Sequence, residues 1–231
     1  MDIDSGNVLE KAVRFKEKSD HDVEILALSM GNEDCEDVLI QALAIGADEA
    51  VHIKDNAFEG ADTLMTAKVL SSILIRYGLP DIILAGNNSQ DGRTGNTGPM
   101  LAEVLNITDI PGVTEFEINE NSVDTLMIKS KEDELIKTIK TSMPTVLIGA
   151  KQQNILRNVS IFDLTDAMEK DIKIYSASDL DLSKDDLTPK LKVWKVLSKH
   201  SKRKKIIIEY DDSEDTISLL TMIKKDYNSL V

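Results

Sequence analysis

The sequence predicts an α/β fold built on a doubly wound, mostly parallel sheet, and three observations support it. Short apolar runs suited to buried strands alternate with longer segments of helical periodicity through the first half of the chain. The helical segments are long enough to make the right-handed crossovers that parallel strands need. The second half is richer in β-forming residues separated by turn signals, which predicts added β-hairpin strands.

The first half of the chain is predicted to hold three helices and three strands. In the helical segments charged residues separate the apolar ones at a period of about 3.6, whereas the strand segments are short and almost wholly apolar. Asp62 is a candidate N-cap, and Gly46 follows a helix at a point where glycine adopts the left-handed conformation at little cost. In chain order the elements are helix 7–18, strand 23–28, helix 33–45, strand 50–53, helix 62–77 and strand 81–85.

The later elements are predicted from alternation and turn residues. Apolar and polar residues alternate on both sides of Asn119-Glu120-Asn121, which predicts a hairpin. After an acidic loop the chain has the pattern of an arm, so we divide it into an α/β domain, 1–186, and a C-terminal arm, 187–231. The later elements are helix 100–105, strands 112–118 and 122–130, a β-rich segment 135–150, a mixed segment 157–170 and strand 172–176.

Composition excludes several classes of protein. With 231 residues, of which 42% are hydrophobic, the chain can bury a large core. Its 41 acidic and 27 basic residues give a net charge of −14, which disfavours a nucleic-acid partner. A single cysteine, Cys35, fits a reducing compartment such as the cytoplasm, and no apolar run is long enough for membrane insertion. The scattered His21, His52 and His200 are predicted to be surface or strand residues rather than ligands.

A glycine-rich loop over residues 86–99 carries the main functional signal. It follows a predicted strand and leads into a predicted helix, which is where open α/β sheets bind ligands. Glycines let the backbone approach a ligand, and a helix N-terminus offers unpaired N–H groups and partial positive charge. Thr94 and Thr97 add hydroxyl groups and Arg93 a cation, so the loop is a candidate phosphate or pyrophosphate site. An ordinary surface loop is the alternative, since neither a Walker motif nor a dinucleotide fingerprint is present.

This loop resembles a segment of the electron-transfer flavoprotein beta family that reads Gly-Arg/Lys-Gln-Ala-x-Asp-Gly-Asp-Thr-x-Gln-x-Gly-Pro-x-x-Ala-Glu. Further stretches resemble the family in the same order along almost the whole chain, at residues 10–18, 28–31, 42–50, 60–63 and 143–147. The residues that match the loop segment in register are Gly86, Asp91, Gly92, Thr94, Gly98, Pro99, Ala102 and Glu103.

The resemblance implies an adenine nucleotide alpha hydrolase-like fold and a non-catalytic electron carrier. Family members pair with an alpha subunit that holds the redox-active FAD, and the heterodimer carries electrons between a dehydrogenase and an acceptor. The beta subunit binds a second nucleotide, AMP in simple carriers and FAD in electron-bifurcating ones, and the G-A-D-T element at residues 60–63 favours FAD. The positions that the resemblance assigns to cofactor binding are Asp2, Ile3, Asp4, Ser5, Met30, Asp62, Thr63, Gly86, Asn87, Asn88, Ser89, Gln90, Asp91, Gly92, Arg93, Thr94, Gly95, Asn96 and Thr97.

The resemblance also implies a surface for partner docking. The family's docking loop, N-E-P-R-Y-x-S-L, places a leucine anchor in a pocket of an acyl-CoA dehydrogenase, and the matching segment here offers Ile161 with Phe162 beside it. Exposure of this pair would favour docking to such a dehydrogenase or to another flavin oxidoreductase, whereas burial would mean ordinary core. The arm is implied either to wrap onto the alpha subunit or to form a local cap.

The chain departs from the family pattern at several positions. The family's first strand, central in its sheet, has no counterpart ahead of Met1. We therefore expect unpaired backbone groups on neighbouring strands unless a partner fills the slot, the sheet rearranges or the native start lies upstream, and we expect the isolated chain to fold poorly. Asn87 and Asn88 replace an Arg/Lys-Gln pair, and Ser130 replaces a basic residue. Arg93 replaces an acidic residue, which either strengthens phosphate binding or is a tolerated surface change.

Two alternatives to an electron carrier stay open at the level of sequence. One is a nucleotide-sensing or structural module of the same fold without redox activity, and the other is a degenerate relative that binds nothing. The sequence offers no convincing acid–base pair, nucleophile or metal cluster of its own, so an independent catalyst is not predicted.

Overall fold

The computed structural model describes residues 1–89, 92–119, 122–151 and 156–191. Two short 3-10 helices, Asn56–Phe58 and Ala177–Asp179, accompany the main elements. The helices are α1 (Ile3–Lys18), α2 (Asp34–Ile45), α3 (Thr63–Arg76), α4 (Thr97–Leu105) and α5 (Ile161–Met168). The strands are β1 (Leu26–Met30), β2 (Glu49–Ile53), β3 (Ile82–Ala85), β4 (Thr108–Asn119), β5 (Ser122–Glu132), β6 (Leu135–Ser142), β7 (Thr145–Gly149) and β8 (Ile172–Tyr175).

The predicted order of helices and strands is confirmed as far as β5, with shifted boundaries, while the β-rich segment 135–150 holds β6 and β7 and the mixed segment 157–170 holds α5. Helix α1 begins at Ile3 rather than at residue 7, because the Asp2 carboxylate accepts the Ser5 amide at 2.9 Å and caps the helix early. Helix α4 begins at Thr97 rather than at residue 100, so it includes the end of the glycine-rich loop. The chain divides after Lys192, whereas the arm was predicted to begin at residue 187, and residues 192–231 of that arm lie outside the described residues.

The strands form two sheets. One is three-stranded and parallel, with the order β1-β2-β8. The other is five-stranded, with the order β3-β7-β4-β5-β6, in which β3, β7 and β4 are parallel and the β4–β5–β6 ribbon is antiparallel. Four of the six strand pairings are therefore parallel, which confirms the mostly parallel α/β class and the added hairpin.

Helices cover both faces of the parallel strands, as a doubly wound fold requires. Successive residues of β2 show this, because side chains alternate between the faces of a strand. Ala50 packs in a cluster with residues of α1, α2 and α5, whereas Val51 and Ile53 pack with residues of α3. Within the described residues no helix is long and apolar enough to cross a membrane.

Strands β1 and β3 are the facing edges of the two sheets. In the described part of the chain β1 pairs only with β2, and β3 pairs only with β7. Side chains of both strands nevertheless enter the same clusters: Leu28 of β1 packs with Ile83 of β3, and Leu84 of β3 packs with the cluster that takes Ala27 of β1. We infer that the two edges border one gap between the helical layers.

We expect the gap between β1 and β3 to cause fast amide hydrogen exchange in the purified chain. Amides of β1 and β3 that are unpaired in the sheet should exchange at least about tenfold faster than those of β7, which is paired on both sides and wholly buried. Mass spectrometry of peptic fragments would measure this. Equal protection of all three strands would mean that a further segment pairs in the gap.

A buried lysine fixes α1 across the five-stranded sheet. The Lys11 ammonium donates to the backbone oxygens of Val113 and Thr114, at 2.7 and 2.8 Å, where β4 carries a bulge. Burial lowers the pKa of Lys11, and the two carbonyl oxygens satisfy two of its three N–H donors. This contact holds the middle of α1 against β4.

Candidate functional site

The glycine-rich loop leaves the carboxyl end of β3 and packs at its base on the first turn of α1. The Asn88 amide donates to the Asp4 carboxylate at 3.1 Å. A side chain on Gly86 would place its Cβ 3.2 Å from the backbone of both Asp4 and Ser5, so only glycine allows this approach without displacement. The structure therefore brings together Asp4, Ser5, Gly86 and Asn88, four of the predicted cofactor-binding residues.

The distal part of the loop folds back towards its base and towards α3. Arg93 adopts a left-handed conformation with φ of 48°, a strained state for a residue with a side chain and one that is common at functional sites. The Cβ position of Gly95 would lie 3.1 Å from Oδ1 of Asn88 and 3.3 Å from the backbone oxygen of Asn87. The hydroxyl groups of Thr94 and Thr63 lie 3.4 Å apart, which places the start of α3 beside the loop.

Helix α4 presents its N-terminus to the loop without a side-chain cap. Asn96 occupies the N-cap position, but its side chain makes no capping hydrogen bond, so the first-turn amides of Thr97 and Gly98 have no partner from that side chain. A Cβ on Gly98 would lie 2.9 Å from Cγ1 of Ile148, so glycine is required for α4 to pack this closely on β7. An uncapped helix start that follows a glycine-rich loop can bind an anion through backbone N–H groups.

Comparison with known proteins identifies the family. The model of the electron transfer flavoprotein domain matches residues 4–179. The chain belongs to the electron transfer flavoprotein family. It is 32% identical over 229 residues to the electron transfer flavoprotein subunit beta of Clostridium acetobutylicum, covering 97% of this chain and 85% of that protein. It is 37% identical over 196 residues to the subunit of the same name from Thermoanaerobacterium thermosaccharolyticum, covering 84% and 73%.

A third relative is a subunit of a different assembly. The caffeyl-CoA reductase-Etf complex subunit CarD of Acetobacterium woodii is 29% identical over 180 residues, covering 78% of this chain and 67% of that protein. Together these relatives confirm the sequence-based assignment to the electron transfer flavoprotein beta family and support a role in electron transfer.

Several predicted site residues of this electron transfer flavoprotein chain do not join the base of the loop. Some make hydrogen bonds or pack elsewhere, and others are exposed to solvent. Asp2 caps α1 and accepts the Ser5 hydroxyl at 2.6 Å. Met30 ends β1, is half-buried and packs in the apolar cluster beneath α3. Gln90 and Asp91 lie outside the described residues. The remaining predicted residues are exposed to solvent, namely Ile3, Ser89, Gly92, Arg93, Thr94 and Asn96.

Among the predicted site residues that the structure describes, Asp62 accepts the largest number of hydrogen bonds. Its carboxylate accepts the backbone amides of Met65, Lys190 and Leu191 at 2.8, 2.6 and 2.8 Å. Burial alone would raise the pKa of Asp62, but these amides outweigh it and hold the pKa below its ordinary value. Asp62 therefore fixes the start of α3, and its neighbour Thr63 is the residue that reaches the loop.

The predicted docking pair lies on the surface. Ile161 and Phe162 open α5 and are 77% and 78% exposed. A capping box holds this end of the helix, because Ser160 accepts the Asp163 amide through its hydroxyl and donates its own amide to the Asp163 carboxylate. The exposure that docking requires is therefore present, on a helix whose start is well fixed.

An ionic cluster around the buried Glu10 was not predicted from the sequence. The side chain of Arg157, just ahead of α5, donates to Glu10 at 2.9 and 3.2 Å and to Glu17 at 2.7 and 3.1 Å. Glu10 is only 1% exposed and also accepts from Arg14 at 2.6 Å. The spacing of Glu10 and Arg14 is a helical i, i+4 pair that sequence can show, but the contact with Arg157 depends on the fold.

Proposed function

We propose that this chain is the beta subunit of a heterodimeric electron-transfer flavoprotein and binds a nucleotide, FAD or AMP, at residues 86–97. An alpha subunit supplies the redox-active FAD, and the heterodimer carries electrons between a dehydrogenase and an acceptor, either as a simple carrier or within a bifurcating complex. The observation that carries this proposal is the convergence of the α1 first turn, the loop after β3 and the uncapped start of α4 on one place.

The chemistry available there suits a phosphate group. Backbone amides of the loop and of α4 supply N–H donors, and Thr63, Thr94 and Thr97 supply hydroxyl groups. Arg93 lies on the exposed part of the loop, where its guanidinium group would reduce the repulsion between a phosphate and this strongly acidic chain. When bound, FAD would supply the electron-accepting flavin ring, while AMP would only occupy the site.

Nucleotide analysis of the purified heterodimer tests this function. Denaturation followed by chromatography counts FAD and AMP released for each pair of subunits. Two FAD for each heterodimer would support a bifurcating complex, and one FAD with one AMP a simple carrier. Release of no nucleotide would contradict the proposal and would favour a structural module of the same fold.

We also expect α5 to be the docking site for the electron donor. Replacing Phe162 and Ile161 together by alanine should weaken binding of the donor dehydrogenase about tenfold or more, because exposed apolar anchors dominate such interfaces. Stopped-flow reduction of the heterodimer by its donor would measure this. The thermal midpoint should not change, since both side chains are already solvated.

Val123→Ala is a matched control for the docking prediction. Val123 is also an exposed apolar side chain, at 61%, but lies on the β4–β5–β6 ribbon. The Val123→Ala substitution should leave the rate of reduction of the heterodimer unchanged. A loss of rate in the control as large as that in the α5 variant would mean that α5 is not the docking element.

A further inference from the structure

Residues 177–191, which we call the strap, lie against α3. Nη1 of Arg76, at the end of α3, donates to the backbone oxygen of Asp179 at 3.2 Å. Nζ of Lys68, in the middle of the helix, donates to the Asp186 carboxylate at 2.5 Å. Three leucines of the strap pack in the apolar cluster that contains the buried side chains of α3, namely Leu180, Leu182 and Leu187. The strap therefore follows α3 from its end towards its start.

The strap ends on a single carboxylate at the start of α3. Oδ2 of Asp62 accepts the amides of Lys190 and Leu191 at 2.6 and 2.8 Å, while Oδ1 caps the helix by accepting the Met65 amide at 2.8 Å. The Leu191 side chain is 70% exposed, so apolar packing contributes little here. Breaking two hydrogen bonds costs far less than unfolding the domain, so the end of the strap has a bound and a released state.

The charge of Asp62 lies beside the loop of residues 86–99, here called the phosphate loop. Thr63 follows Asp62 directly, and its hydroxyl lies 3.4 Å from that of Thr94 in the loop. A phosphate group bound there would be repelled by the Asp62 carboxylate. Amide donors stabilise the charge of a carboxylate, and their dipoles weaken its field. The repulsion is therefore weaker when Lys190 and Leu191 are bound to Asp62 than when they are released.

We propose that Asp62 couples nucleotide binding to the strap: a phosphate group at the loop favours the bound state of Lys190 and Leu191, and the bound strap raises nucleotide affinity. The two effects have the same size, because a ligand shifts a two-state equilibrium only by its differential affinity for the two states. This inference rests on the proposed nucleotide site, and it makes Asp62 a positioning residue rather than a nucleotide ligand. The nucleotide thereby fixes the residues from which the chain continues to residue 231.

Two substitutions of Leu191 test the coupling in the full chain, in its native assembly and with bound nucleotide removed. Leu191→Pro removes the amide that donates to Asp62, because proline has no backbone N–H, whereas Leu191→Ala keeps it. Isothermal titration should show AMP binding about fivefold weaker in Leu191→Pro than in Leu191→Ala. The difference should shrink as the salt concentration rises, since salt screens the repulsion. Equal affinities at low salt would overturn the inference.

The same pair of substitutions in an Asp62→Asn background separates the charge from the backbone. Asparagine is as good an N-cap as aspartate, so α3 keeps its start, but asparagine has no charge to repel a phosphate. Leu191→Pro and Leu191→Ala should then bind AMP equally. A difference that persists without the charge would mean that proline acts by distorting the strap, and would overturn the coupling through Asp62.

Amide hydrogen exchange, resolved residue by residue, measures the reciprocal effect. Saturating AMP should slow exchange at Lys190 and Leu191 about fivefold. The Leu187 amide is the internal control, because it donates to the Ser183 oxygen within the strap and should change less. Equal slowing at Leu187 would indicate general stiffening and contradict the role of Asp62.

The inference and the proposed function can fail separately. Binding of AMP without slower exchange at Lys190 and Leu191 would contradict the coupling and leave the proposed nucleotide site intact. Failure of the wild-type assembly to bind AMP or FAD would contradict both.

Discussion

Replacing Glu10 by alanine is expected to lower the free energy of unfolding by about 1–3 kcal/mol, because hydrogen bonds to a buried carboxylate are lost while the two arginines that it contacts stay partly solvated. The Glu10 carboxylate accepts from the side chain of Arg14 and from both the side chain and the amide of Arg157. Without it, the guanidinium group of Arg157 loses one of its two carboxylate partners, and its amide loses its acceptor. Urea unfolding at neutral pH would measure the change.

Glu17→Ala is the matched control. Glu17 contacts the same guanidinium group at 2.7 and 3.1 Å, but its side chain is 54% exposed, so water can replace its contacts. Its removal should cost far less than the removal of Glu10. Similar losses from the two substitutions would show that burial does not set the strength of this cluster.

The effect of Glu10→Ala should also depend on pH. Burial alone would raise the pKa of Glu10, but hydrogen bonds from Arg157 and Arg14 outweigh it and hold the pKa below its ordinary value of 4.5. Because the pKa is lower in the folded state, the ionised carboxylate stabilises the protein fully above pH 4.5, and this contribution is lost as the pH falls through the folded-state pKa. The difference in free energy of unfolding between wild type and Glu10→Ala should therefore become smaller in acid.

The ionic cluster around Glu10 also connects the two surfaces that the proposed function needs, the phosphate loop and α5. Helix α1 carries Glu10 in its middle and meets the phosphate loop at its first turn, through Asp4. Arg157 precedes α5, whose exposed Ile161 and Phe162 are the proposed docking residues. Loss of Glu10 is thus expected to loosen the position of α5 relative to α1, and not only to lower stability.

Local patterns predicted the order of the elements because they depend on neighbours in sequence. Asp62 was predicted as an N-cap and does accept the Met65 amide. The start of α1 was placed too late, since the apolar periodicity begins after the turn that Asp2 caps. The exposure of Ile161 is a surface property that the periodicity of a short helix does not decide, so the sequence left docking and core as equal alternatives.

The parts of the site that were not predicted depend on contacts between residues distant in sequence. The approach of the loop after β3 to the first turn of α1 is one example, since Asn88 and Asp4 are 84 positions apart. The contact of Glu10 with Arg157 is of the same kind.

Gly86→Val is expected to lower nucleotide affinity by about 10- to 100-fold, equivalent to losing one or two hydrogen bonds to a charged group. The Cβ of any side chain here lies 3.2 Å from the backbone of both Asp4 and Ser5, and the two methyl groups of valine extend further. Backbone atoms cannot rotate away as a side chain can. The loop must therefore separate from α1, which moves its amides away from the phosphate position.

Gly6→Ala separates this effect from a general loss of folding. Gly6 lies in the same turn of α1, but its added Cβ would be 3.4 Å from the flexible end of Leu156, and alanine favours the helix. Isothermal titration of AMP and FAD into nucleotide-free heterodimer, with circular dichroism of each variant, makes the comparison. Wild-type affinity in Gly86→Val would mean that the contact between α1 and the loop does not shape the nucleotide site. Reduced affinity with an unchanged thermal midpoint, and none in Gly6→Ala, would tie nucleotide binding to that contact.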